Sequence, residues 1–210
     1  MKKYLPIIIS IMALIVGIFI YPKMPDQVVS HWDSAGNADG YMGRFWGTFF
    51  LPLLMLGLTI LLGLVPKIDP KRENIKKFLP YYQNFLIVFS LFMFAVYLQT
   101  LLWSHGIQIN PIVFFSLGLA GLFYFTGEMI AHAEPNWMIG VRTAWTLSSE
   151  SVWRKTNQLG GKLFKWSTLL FFLGALMPKY SIYFVFVPIV GLTGFLTLYS
   201  YWLYRKEQGK

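Results

Sequence analysis

Apolar and polar positions along the chain separate on a coarse scale. Six long apolar runs, at 4–21, 45–65, 78–103, 111–131, 163–177 and 180–204, are divided by short polar links. Crossing a hydrocarbon core takes about 20 apolar residues at 1.5 Å rise each. Four runs reach that length and the first is slightly short. The fifth is shorter still, with Gly160, Gly161 and the stem of Lys165 available to extend it. The pattern predicts an all-α integral membrane protein with six transmembrane helices, and leaves too little chain for a water-soluble domain of ordinary size. The fifth link is little more than Pro178 and Lys179, so the last two spans form an antiparallel helical hairpin. The links divide the chain into 1–66, 67–131 and 132–210, each holding two spans. No motif repeats between the halves as inverted transporter repeats would require.

Composition agrees with a multi-pass protein of the cell membrane. Charged residues make up only 13%, about half the share in a soluble domain. Many Trp and Tyr residues stand near the ends of the runs, where a ring can be half wet. The chain has no Cys, which excludes disulfides, a thiolate nucleophile and Cys metal sites. The net charge of +9 raises the question of nucleic acid, but the charges alternate with the spans and no direct nucleic-acid contact is expected. Of the 18 Lys and Arg, 15 fall on the termini and the second and fourth links, against 3 (Lys23, Arg44, Lys179) on the other side. The positive-inside rule then places both termini in the cytoplasm and links one, three and five outside. The first run follows Lys2 and Lys3 but is longer than a signal-peptide core and lacks a small-x-small cleavage site, so it is read as a retained span.

Two links are long enough to carry chemistry. The outer one reads MPDQVVSHWDSAGNADGYMGR; residues 27–32 have alternating, β-branched character and Gly36, Asn37, Asp39 and Gly40 occupy turn positions. A short extended segment and a tight turn are expected there. His31, Asp33 and Asp39 could ligate zinc or manganese. The competing reading, that the Asp and Asn side chains cap their own turns and His31 is an interfacial ring, is adopted, and no metal or cofactor is assigned. The inner link reads AEPNWMIGVRTAWTLSSESVWRKTNQLGGK. Residues 135–147 suggest a compact non-helical turn, Ser148 an N-cap, and Val152, Thr156, Leu159 and Leu163 the stripe of an amphipathic interfacial helix leading into span five.

Polar groups inside the spans are costly and therefore informative. Glu128 lies about one turn from the cytoplasmic end of span four and Asn84 under two turns into span three. With Asn136, Arg142 and Thr143 they suggest an inward-facing polar cup in which Glu128 is the counter-ion of Arg142. Alternatively Glu128 snorkels to water and Asn84 bonds a neighbouring helix.

IGVRTAWTLSSESVWRKTN, residues 139–157, resembles the signature of the SdpI family of bacterial immunity proteins, and PDQVVSHWDSAGNADG, residues 25–40, resembles the domain of unknown function that usually precedes it. Order, span number and length match across nearly the whole chain. The family commonly has Pro between the signature Thr and Trp, where this chain has Ala144, and often Asn where Glu128 stands. By resemblance the motif positions are His31, Gly36, Asp39, Asn84, Asn136, Gly140, Arg142, Thr143, Trp145, Thr146, Leu147 and Trp153. The resemblance implies protection against a secreted peptide toxin met on the outer face, and a cytoplasmic regulator docked on the inner link. No Ser-His-Asp order, HExxH or phosphate loop is present, and no catalytic residue is assigned. A transporter using the Glu128/Arg142 cup and a membrane-embedded hydrolase using Asp33 and Asp39 are the alternatives.

Overall fold

The computed structural model describes residues 2–209; Lys210, one of the basic residues counted above, lies outside them. The chain runs α1 (Leu5–Ile20), β1 (Gln27–Trp32), β2 (Ala38–Gly43), α2 (Arg44–Ile68), α3 (Arg72–Lys77), α4 (Leu79–Ser104), α5 (Pro111–Ala131), α6 (Ala144–Ser148), α7 (Glu150–Leu176) and α8 (Ser181–Glu207). Six of these helices are long and apolar enough to cross a membrane. Proline opens α1, α4 and α5 within the first turn, where a missing N–H costs nothing. Asn110 caps α5 by accepting from the Ile112 and Val113 amides.

The fifth span differs in extent from the apolar run. α7 is one continuous helix of 27 residues beginning at Glu150, so the amphipathic segment of the fourth link is the first part of the span itself. Its Glu150 start removes the length deficit that the apolar run alone suggests. The buried stripe is Val152, Trp153, Thr156, Asn157, Gly160 and Gly161, and Leu159 and Leu163 are only half-buried. That face packs on protein and not on headgroups.

The helices form two packed groups. In the first, α1, α2 and α4 close around Ala13, Met55, Tyr97 and Leu101, with Met24 and Val28 from the outer link sealing one end. A hydroxyl pair, Ser10 to Thr59 at 3.1 Å, ties α1 to α2. Pro66, inside α2, has no N–H for the Leu62 carbonyl; the Tyr82 hydroxyl of α4 donates to that carbonyl at 2.7 Å. In the second group α5, α7 and α8 pack together, and α4 against α5 joins the groups. The α5–α7 contact is the closest: a Cβ on Gly161 would stand 2.6 Å from the Gly127 carbonyl oxygen, and one on Gly127 2.7 Å from the Gly161 oxygen. Small residues let backbones meet where lipid supplies no hydrophobic drive. Ser116 and Ser181 bond at 2.8 Å to hold α8 to α5.

Candidate functional site

The first outer link folds into a two-stranded antiparallel hairpin. Gln27 pairs with Gly43, Val29 with Tyr41 and Trp32 with Ala38, with irregular register on either side of His31. β1 was legible from its alternation; β2, written ADGYMG, has little strand propensity and is held by pairing and by the helix it leads into. Asp33 closes the turn, its Oδ1 accepting from the Ala35 and Asn37 amides, both at 2.8 Å, and its Oδ2 from the Asn37 side chain at 3.1 Å. These bonds, the Asn37 amide foremost, hold its carboxyl below the usual carboxylate range. Gly36 sits at the tip with φ +89°. His31 Nδ1 meets Asp39 Oδ1 at 2.5 Å on the exposed face. Among the described residues no three His, Asp or Glu side chains converge as a metal site would require.

Beneath the hairpin lies a half-open cavity of about 340 Å³, lined mainly by Val29, His31, Trp32, Trp46, Phe50 and Phe115. Trp32 stands edge-on to Trp103 (5.6 Å) and Phe115 (6.0 Å), tying β1 to α4 and α5. The Arg44 guanidinium bonds Asp26 at 2.6 Å and its amide bonds the Asp26 carbonyl, which fixes the hairpin base to the start of α2.

The inner signature is a scaffold of buried polar groups, most of them hydrogen-bonded; the Thr156 hydroxyl is the exception, buried without a partner among the described residues. Asn136, 2% exposed, accepts from the Met138 and Ile139 amides and donates to the Glu134 and Ile139 carbonyls. Trp153, 0% exposed, donates its indole N–H to the Ala133 carbonyl at 2.7 Å. Asn157 accepts from the Val141 amide at 2.8 Å. Gly140 has φ +123°, and a Cβ there would stand 2.7 Å from Asn157 Oδ1. Thr143 and Thr146 form a reciprocal capping box at α6, and Thr143 also meets Ser200 of α8 at 2.9 Å. Trp145 packs on Tyr201, ring centres 5.1 Å apart, whereas Trp137 and Leu147 are exposed. The N-cap of α7 is Ser149, not Ser148, whose hydroxyl instead turns back to the Ala144 carbonyl. Residues 144–148 are helical where a non-helical turn was expected as far as 147, because the Thr143–Thr146 box nucleates one turn.

The polar cup does not assemble. Glu128 pairs with Lys165 of α7 at 2.6 Å, with His132 Nδ1 4.0 Å away, and His132 stacks on Tyr81. Arg142 donates to the Trp137 carbonyl at 2.7 Å and makes no ion pair among the described residues. Asn84 lies near Lys2 at 3.5 Å, on another side of the bundle. The physical reason is register: the Gly127–Gly161 contact brings Glu128 and Lys165 to one level, while the loop wraps Arg142 around its own carbonyls.

Three residues outside the expected set prove structural. Asp69, 2% exposed, accepts from the Lys71 and Trp137 amides and so joins the second and fourth links. Asn74 donates to the Pro135 carbonyl at 2.8 Å, and Asn157 anchors the signature to α7. The Asp-Pro turn signal at 69–70 could have flagged the first.

Residues 8–56 match the family described as a domain of unknown function (DUF1648), and residues 132–200 match the SdpI/YfhL protein family. The chain is 27% identical to the Immunity protein SdpI of Bacillus subtilis (strain 168), over 99% of this chain and 98% of that protein. No solved structure matches. The DUF1648 match takes in most of α1, the outer hairpin and the first half of α2; the SdpI/YfhL match takes in the inner loop, α6, α7 and most of α8. The likeness read from the two links thus holds along the whole chain, which is similar from end to end to an SdpI immunity protein and is a multi-pass membrane protein.

Proposed function

We propose that this protein protects its cell against a secreted peptide toxin, received on the outer hairpin and the aromatic cavity beneath it. The observation that carries the reading is the end-to-end similarity to an immunity protein, which includes both structured links. The cavity suits a ligand with an apolar body: its walls are largely apolar, with Trp32, Trp46, Phe50 and Phe115 among them, and His31, which bonds Asp39, adds a polar group. The inner loop, rigid and presenting Trp137 and Leu147, is the surface on which a cytoplasmic regulator would dock. The charge asymmetry supports hairpin outside and loop inside. Kinship with an immunity family supports a role in binding and not in catalysis. A solute path through Glu128 and Arg142 loses its basis, since Glu128 is engaged by Lys165.

The test is survival. A toxin-sensitive bacterium carrying the chain is challenged with the secreted peptides of a producer strain. Protection is expected, and it should fall when Trp46→Ala enlarges the cavity or Asp39→Ala removes the carboxylate that holds His31. Full sensitivity despite normal amounts of protein in the membrane would overturn the reading.

A further inference from the structure

The end of the bundle that gathers most of the basic residues holds a small groove between the start of α1, the last turns of α2 and the first turns of α4. Pro6, Gly63, Pro66, Leu79 and Leu86 make an apolar slot of about 80 Å³, and Lys2, Lys3 and Gln83 stand at its rim. No carboxylate lines it, and neither lysine has an ion-pair partner among the described residues. Lys2 Nζ lies 3.5 Å from Asn84 Oδ1, and Lys3 Nζ 4.8 Å from the Tyr4 ring centre; neither contact neutralises a charge. Gly63 lines the slot and borders open space: a Cβ there would meet nothing within 4 Å, so a longer side chain has room to extend over the slot.

We propose that this groove binds an anionic phospholipid, its phosphate between Lys2 and Lys3 and the first part of one acyl chain in the slot beside Gly63. Two uncompensated ammonium groups over an apolar, lipid-facing slot match a molecule with a negative head and a hydrocarbon tail. An inorganic anion would use the rim and leave the slot empty. A zwitterionic lipid would use the slot and gain little from the lysines. The site lies at the opposite end of the bundle from the hairpin and does not depend on the proposed immunity function.

Purified protein is equilibrated with equal amounts of phosphatidylglycerol and phosphatidylcholine in detergent, and retained lipid is read by native mass spectrometry. The parent should retain phosphatidylglycerol preferentially. Lys2→Gln and Lys3→Gln should each weaken that retention about fivefold, the worth of one basic side chain near anionic lipid. Gly63→Leu should reduce it while leaving the melting temperature unchanged, because the added side chain enters open space. Equal retention of both lipids by the parent, unchanged phosphatidylglycerol in the lysine variants and Gly63→Leu, or displacement of the lipid by inorganic phosphate would each overturn the proposal.

Discussion

Breaking the Glu128–Lys165 pair tests how much this ion pair adds to the close α5–α7 contact. The two groups meet at 2.6 Å, with side chains 25% and 32% exposed, so neither is fully desolvated. Removing one partner of a fully buried pair costs about 3–5 kcal/mol. Partial solvent access lowers this to about 1–3 kcal/mol, since screening weakens exposed pairs. At about 2–4 °C per kcal/mol for a chain of this size, Glu128→Gln or Lys165→Met should lower the melting temperature in detergent by about 2–12 °C. The double variant Glu128→Leu/Lys165→Leu should recover most of the loss, because it leaves no unpaired charge. A double-mutant cycle built from Glu128→Leu, Lys165→Leu and their combination measures the coupling in detergent. Arg142→Lys is the contrast: its contact is one bond to the Trp137 carbonyl, which an ammonium can also make, so stability should stay within about 0.5 kcal/mol of the parent. The reasoning fails if the two single losses simply add, or if Arg142 and not Lys165 couples to Glu128.

The signature should prove as demanding structurally as its packing suggests. Gly140→Ala should cost about 1–3 kcal/mol from backbone strain alone, and Trp153→Phe about 1–3 kcal/mol from the orphaned Ala133 carbonyl, both read by thermal unfolding. Single Cys residues at Ser34 and Lys155 should react with impermeant thiol reagents from opposite sides of the membrane; labelling of both from outside intact cells would reverse the topology. The Asp33 carboxyl is depressed in the folded hairpin, so its contribution to the turn is complete above the ordinary carboxylate range of about 4 and lost as pH falls through the lower folded value. Amide resonances of Ala35 and Asn37 should therefore be unchanged by this group between about pH 5 and 8 and move only in stronger acid, and Asp33→Ala should shift them at every pH.

The sequence by itself determined the number of spans, the hairpin of the last two, and the two links where structure and kinship concentrate. Those follow from burial of apolar length and from local turn chemistry, which a linear pattern records. Tertiary structure alone decided the partners. The partner of Glu128 depends on which helices approach closely, and Gly127 against Gly161 sets that level between residues far apart in the chain. β2 forms from a Gly- and Asp-rich segment because β1 offers it a ladder and Arg44 clamps its end. The length of α7 could not be read from apolarity, since its first turns bury Thr156, Asn157 and two glycines against protein, and a hydropathy pattern counts such residues as polar or neutral. Asp69 reaches the fourth link only when α2 and the loop are folded together, so its role has no local signature beyond a turn.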